Sequence, residues 1–199
     1  MSVFWDERYS SDTYVYGKQA NAFFAAQLAD LKPGRLLLPG EGEGRNAVHA
    51  VRLGWKVDAF DQSRAGRDKA MALASEFDVD INYALCPLED FDFPEDEYDL
   101  VALLFFHVPE ASRRYLHRKV IESLKPGGRL VLEAFHKDQI NYNTGGPKSL
   151  DMLFDEKILE ADFALLETVM LDKQEIILDE GPFHQGSAII IRYIGTKPK

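Results

Sequence analysis

The chain has 199 residues, 46% of them hydrophobic and 28% charged, and a formal net charge of −10. That length fits a single domain with a sizeable core, and that charge argues against nucleic acid or an anionic membrane as the main partner. The single cysteine, Cys86, excludes an internal disulfide framework and fits a reducing, cytoplasmic setting.

Four aromatics, Trp5, Tyr9, Tyr14 and Tyr16, crowd the N-terminal segment, too many for a disordered tail. No basic region followed by an apolar stretch marks a secretory signal there. Gly17 to Leu31 carries Ala20, Phe23, Phe24, Leu28 and Leu31 at helical spacing, and Lys32-Pro33-Gly34 stops it. A strand is predicted at about Arg35–Leu38 and a helix from Arg45 to Leu53, with Gly54 as its stop. Trp55 to Asp61 alternates as a second strand, and Ser63 caps a helix running to Phe77. Ile81–Leu85 is a short third strand, Asp90–Glu97 an acidic turn, and Tyr98–Phe106 an apolar run suited to a strand buried on both faces. That run is too short to span a bilayer.

Pro109 and Glu110 open a helix to about Leu124, whose Arg113, Arg114, His117, Arg118 and Lys119 read as its solvated face. Lys125-Pro126-Gly127-Gly128 closes it and Arg129–Phe135 is the fifth strand. After a long loop, His136–Lys148, Ser149 is expected to cap a short helix with Leu150, Leu153 and Phe154 inward. Phe163–Asp179 and Ser187–Ile194 are long strands joined by a short turn and should pair antiparallel. Alternating strands and helices followed by a hairpin predict an α/β doubly wound, mostly parallel sheet with both faces covered. No repeat or linker divides the chain, so residues 1–199 read as one domain.

The loop after the first strand, Pro39-Gly40-Glu41-Gly42-Glu43-Gly44-Arg45, carries the chemistry. In such sheets a ligand lies at the carboxyl ends of the strands near the switch in strand order. A dinucleotide fingerprint reads G-x-G-x-x-G, whereas here the third glycine comes one position early and Arg45 stands where a small residue is needed. Glu41 and Glu43 would also meet a pyrophosphate as like charges. A cationic, phosphate-free nucleoside such as S-adenosylmethionine suits the loop better, although glycine-rich turns also form for structural reasons alone. No Cys/His cluster has metal-ligand spacing, and no metal is expected.

The alternation, the glycine loop, Asp61 and the Leu124-Lys125-Pro126-Gly127-Gly128 turn together resemble a class I S-adenosylmethionine-dependent methyltransferase over nearly the whole chain. Tyr16-Gly17, Gly44-Arg45-Asn46-Ala47, Asn143-Thr144-Gly145-Gly146-Pro147-Lys148 and Glu180-Gly181-Pro182-Phe183-His184-Gln185-Gly186 are similar to the tellurite-resistance and thiopurine-methyltransferase-like branch. The resemblance implies a Rossmann-like sheet of seven strands in order 3-2-1-4-5-7-6, with strand 7 antiparallel. It implies that Gly40, Gly42 and Gly44, with Glu41 and Asn46 in the same loop, line the methionine and ribose of the donor. Asp61 would take both ribose hydroxyls, because a carboxylate accepts two hydrogen bonds at once; its alternative is a turn residue or helix cap. Gln62, Leu88 and Glu89 would lie by the adenine. Trp5 and Tyr16 would fold over the donor as part of a cover formed by residues 1–31, or else pack on the core. Phe105 would end the fourth strand beside the donor. The chain departs from the pattern at Leu38 and Pro39, where an acidic residue is usual, and at Pro87.

Methyl transfer is an in-line displacement, so much of its catalysis is positioning. A thiol, hydroxyl or protonated amine must also lose a proton to a base, whereas an acceptor already anionic needs only a grip. His107 at the end of the fourth strand and His184 in the last turn are the candidate catalytic residues, each against a purely structural alternative. His136 is a weaker candidate, and Asn143, Thr144 and Lys148 sit on a loop suited to a lid or an anion grip. Cys86 reads as a small buried residue. The expected function is methyl transfer to a small-molecule acceptor, such as a thiol or a chalcogen oxyanion like tellurite, by a monomer or weak homodimer without nucleic-acid or membrane partners. A nicotinamide-dependent oxidoreductase and a non-catalytic S-adenosylmethionine-binding protein are the alternatives.

Overall fold

A computed structural model describes residues 2–199. Among the described residues six α-helices and seven strands run in the order α1 (Ser2–Tyr9), α2 (Ala22–Ala29), β1 (Arg35–Pro39), α3 (Arg45–Arg52), β2 (Lys56–Asp61), α4 (Arg64–Glu76), β3 (Asn82–Leu85), β4 (Tyr98–Leu104), α5 (Glu110–Ser123), β5 (Leu124–Phe135), α6 (Glu156–Asp162), β6 (Glu167–Asp179) and β7 (Gln185–Thr196). The strands form one sheet in the order β3-β2-β1-β4-β5-β7-β6. β1 with β2, β2 with β3, and β4 with β5 are parallel, while β7 runs antiparallel to β5 and β6. Strand order and directions are those the family resemblance implies.

The chain packs as two compact units. One holds the residues up to Asp92 together with Glu180–Phe183; the other holds Phe93–Asp179 and His184–Lys199. In the first, Leu36, Leu37 and Leu38 on β1 and Ala59 and Phe60 on β2 are fully buried, as expected of parallel strands covered on both faces. In the second, Val131, Leu132 and Phe135 on β5 and Ile190 and Ile191 on β7 form the equivalent layer. Among the described residues no helix is long and apolar enough to cross a membrane.

Several elements differ from their sequence expectations for identifiable reasons. The N-terminal aromatics start with a helix, α1, and the next helix begins only at Ala22, because the Asn21 side chain accepts the Phe24 N–H and caps it there. β5 starts five residues early, and the Lys125–Gly128 turn becomes an irregularity in its register with β4. Gly128 has no room for a side chain there, since a Cβ would lie 2.9 Å from the Tyr98 carbonyl oxygen. Ser149 heads only a short 3-10 turn, Leu150–Met152, which leaves Leu150 exposed. The true cap is Asp155, whose side chain accepts the Ile158 N–H at the start of α6. Arg113 and His117 do not belong to a solvated face: both are buried on α5 and share Asp162, at 2.9 Å each.

Candidate functional site

The glycine loop leaves β1 at Pro39 and enters α3 at Arg45. Gly40, Gly42 and Gly44 all have positive φ, of 64°, 62° and 86°, so all three positions require the left-handed region where side chains are strained. Two of them also have no space. A Cβ on Gly44 would lie 2.6 Å from the Ala70 Cβ, and one on Gly42 2.7 Å from the Tyr9 hydroxyl. The third glycine thus brings α3 against α4, and the second lets α1 close over the loop.

Asp61, the last residue of β2, ties the loop to the next helix. Its Oδ2 accepts the Gly42 N–H at 3.1 Å and its Oδ1 the Ser63 N–H at 2.8 Å. Burial raises its pKa to about 6. The Gln62 backbone amide bonds the carboxylate as well, so these three donors take most of its roughly four lone-pair sites. Asp61 is thus the carboxylate that fixes the turn between the glycine loop and α4. Ser63 caps α4 as expected, accepting the Gly66 N–H at 3.0 Å. Asp6 from α1 joins it there, accepting from Ser63 Oγ at 2.7 Å and from the Ala65 N–H at 3.1 Å.

The two loop glutamates have separate tasks. Glu41 turns inward: its Oε1 accepts the Asn46 and Ala47 N–H groups, both at 2.8 Å, and its Oε2 takes the Asn46 side-chain amide. A carboxylate there satisfies orphan donors at the positive end of α3. Burial raises its pKa to about 7. Glu43 points to the N-terminal segment, accepting the Val15 N–H at 2.8 Å and pairing with Lys69 at 2.7 Å. Arg45 also turns away from the loop, donating to the Tyr16 and Gln19 carbonyls and pairing with Glu180.

The N-terminal aromatics gather over the loop. Trp5 stacks on Tyr9 with ring centroids 5.5 Å apart, and Tyr9 meets Tyr16 edge-on at 6.4 Å. Below them, the Tyr83 hydroxyl donates to the Gly42 carbonyl at 2.7 Å. Gln62 follows Asp61 and is half-buried, while Leu88 is buried and Glu89 exposed on the short turn after β3. Cys86 is half-buried, and its amide donates to the Asp61 carbonyl.

In the second unit, Phe105 follows β4 directly. Its φ is 52°, rare for a bulky residue, and its amide donates to the Glu133 carbonyl at 2.7 Å. The strain aims its ring at Phe135 (4.8 Å) and at His184 (4.7 Å). Buried His184 also meets Phe135 edge-on at 5.4 Å. His107 has its ring between Phe135 and Phe154, and both of its nitrogens are engaged. The Phe135 amide donates to Nε2 at 3.2 Å, which leaves the proton on Nδ1, 2.7 Å from the Met152 carbonyl oxygen. Burial pushes its pKa down to about 4. In this tautomer the ring holds no lone pair for an acceptor's proton. His136 caps the turn that follows β5, with Nδ1 accepting the Asp138 N–H. Lys148 donates to the Tyr142 carbonyl and to Asn143 Oδ1, while Thr144 donates to the Ser187 carbonyl at 2.6 Å. Among the described residues no group of His, Cys, Asp and Glu is arranged to hold a metal.

Sequence reasoning missed Asp6, Tyr83 and Asn21, and singled out Glu180 only as part of a motif, without a role. Asn21 stands directly before a helical run, and that was a readable cap signal. Tyr83 gave none, because it acts on a backbone carbonyl distant in sequence.

Residues 37–128 match the methyltransferase domain family. A ubiquinone biosynthesis O-methyltransferase of Rickettsia bellii is 25% identical over 118 residues, 58% of this chain and 48% of that protein. The chain thus spans about half the length of the curated relatives it matches. Among solved structures, TehB from Haemophilus influenzae superposes with a TM-score of 0.74 at 16% identity, covering 98% of this chain and 66% of that one. A SAM-dependent methyltransferase from Methanosarcina mazei gives 0.71 at 16%, with 90% and 99% covered. A 1,6-didemethyltoxoflavin-N1-methyltransferase from Burkholderia thailandensis, solved with S-adenosylhomocysteine, gives 0.64 at 18%, with 89% and 76% covered. Strand order and domain match agree: residues 37–128 match a methyltransferase domain, and the chain shares its fold with a SAM-dependent methyltransferase of known structure.

Proposed function

We propose that the chain transfers a methyl group from S-adenosylmethionine to a small-molecule acceptor. One observation carries the reading: a loop of three left-handed glycines after β1, with the Asp61 carboxylate at the end of β2 bonded to its central amide. The bare backbone of Gly40, Gly42 and Gly44 suits the methionine and ribose, and Asp61 beside it is assigned to the ribose hydroxyls. Gln62, Leu88 and Glu89 are assigned to the adenine side, and Trp5 and Tyr16 to a cover that excludes water. Glu41 and Asn46 hold the loop from behind rather than touch the donor. The donor supplies an electrophilic methyl on a sulfonium, so the chain has to position the acceptor and dispose of its proton.

For the acceptor we favour a thiol or a chalcogen oxyanion, gripped beside His184 and the rings of Phe105 and Phe135. His184 is assigned the acceptor's proton. His107, with both nitrogens engaged, is assigned the support of Phe135 and Met152. Net charge argues for a small acceptor over a polyanion, and the single cysteine for the cytoplasm.

A screen with methyl-labelled S-adenosylmethionine against thiols, tellurite and selenite tests the reading, beside calorimetric titration with NADH. Labelled product and no NADH binding are expected. NADH binding without a response to S-adenosylmethionine would favour the oxidoreductase. His184→Ala should lower turnover on a thiol at least about 100-fold, the usual scale of a lost general base. The wild-type pH–rate profile should show no break from His107 between pH 5 and 9, since its pKa is held near 4.

A further inference from the structure

The turn between β6 and β7 does more than join two strands. Glu180–Phe183 packs with the unit that carries the glycine loop, and three of its four residues grip the N-terminal segment. The Glu180 carboxylate is held from both sides, by Arg45 Nη2 at 2.8 Å and by the Asn21 side-chain amide at 3.1 Å. Gly181 lies backbone against backbone: a Cβ there would meet the Gly17 nitrogen at 2.6 Å and the Val15 carbonyl oxygen at 2.7 Å, and its φ is 82°. The Phe183 ring carries the Arg8 guanidinium at 4.5 Å.

Each partner of Glu180 leads back to the loop. Arg45 follows Gly44 and its other nitrogen donates to the carbonyls of Tyr16 and Gln19. The amide of Asn21 donates to Asn46 Oδ1 at 2.9 Å, and Asn46 in turn donates to Glu41. One carboxylate thus joins two routes from the aromatic cover to the glycine loop. The ion pair is largely shielded, with side-chain exposures of 9% for Arg45 and 15% for Glu180. Removing one partner of such a pair leaves a poorly solvated charge behind, so the contact should matter more than a surface salt bridge.

We infer that Glu180 is a positioning residue of the donor site, fixing residues 15–21 against the glycine loop through Arg45 and Asn21. The inference rests on the donor reading above. It assigns the turn a part in holding the methyl donor, with Glu180 never touching the donor itself.

The test compares wild type, Glu180→Gln and Glu180→Asp. In ligand-free Glu180→Gln, the hydrogen-bonded amides of Val15 and Asn21 should exchange about tenfold faster, with those of β2 and β5 unchanged. The dissociation constant for S-adenosylmethionine should rise about tenfold, and its release, followed by Trp5 fluorescence, should quicken. Glu180→Asp, which keeps the charge, should recover part of both effects. Unchanged exchange at Val15 and Asn21, or an increase spread evenly over all strands, would overturn the inference. So would faster exchange with unaltered donor affinity. Wild-type protein with no affinity for S-adenosylmethionine would instead remove the donor reading, a result distinct from wild-type binding that Glu180→Gln leaves untouched.

Discussion

Glu41 and Asp61 place two carboxyl groups beside one glycine loop, and burial raises the pKa of both, to about 7 and about 6. Each binds its proton more tightly folded than unfolded. Their contribution to stability is therefore fully present at low pH and is lost as pH rises from the ordinary carboxylate range through the folded values. Tenfold tighter proton binding is worth about 1.4 kcal/mol, so Glu41 alone accounts for up to about 3 kcal/mol of decline between pH 4.5 and 7. Urea denaturation across pH 4.5–8 should show this fall. Glu41→Gln should be less stable at low pH, because its amide would face the Asn46 donor, but its curve should be flatter. Parallel curves for the two proteins would contradict the assignment. Only part of this was legible in the sequence. Spacing identifies the loop and Asp61, yet in sequence the glutamates look like one feature facing a ligand. They separate in the structure because Glu41 serves the unsatisfied amides at the start of α3, and Glu43 those of Val15 and Tyr16. His107 shows the same limit. Its position at a strand end invites a catalytic reading, and only the three-dimensional neighbours reveal that both nitrogens are engaged.

At the scale of elements, the contact between α3 and α4 depends on Gly44. Its φ of 86° and the Ala70 Cβ only 2.6 Å from any added Cβ make glycine obligatory there. Gly44→Ala combines about 1 kcal/mol for a left-handed alanine with roughly 1–3 kcal/mol for overpacking. A loss of about 2–4 kcal/mol in chemical denaturation is expected, and donor affinity should weaken as the loop shifts. A loss below about 1 kcal/mol would mean that α4 moves aside freely. The alternating strands and helices were legible because buried apolar runs alternate with helical periods, whereas the strand order was legible only through the family resemblance. Elements set by distant partners were not. Arg113 and His117 look like solvent-facing members of a basic helix until Asp162 of α6 arrives to pair with both. Asp155 rather than Ser149 starts the α6 helix because its carboxylate reaches the Ile158 amide while Ser149 caps no backbone amide.

At the scale of the molecule, the parts assigned to the donor come from both ends of the chain: α1 and the loop after β1 near its start, Glu180–Phe183 near its end. A ligand held by that set should stabilise the folded protein as a whole, because none of these groups is in place when the chain unfolds. At a concentration of 100 times its dissociation constant, a ligand binding only the native state adds about 2.7 kcal/mol. For a protein near 200 residues each kcal/mol moves the melting temperature by about 2–4 °C, so S-adenosylmethionine should raise it by about 5–10 °C. NADH at the same concentration should leave it unchanged, since a pyrophosphate would meet the Asp61 carboxylate beside the loop as a like charge. The shift should survive in His184→Ala, which belongs to the other compact unit, and shrink in Glu180→Gln. Equal shifts from both nucleosides would remove the electrostatic reason for preferring a sulfonium donor. A shift that Glu180→Gln leaves at full size would detach the β6–β7 turn from the donor site.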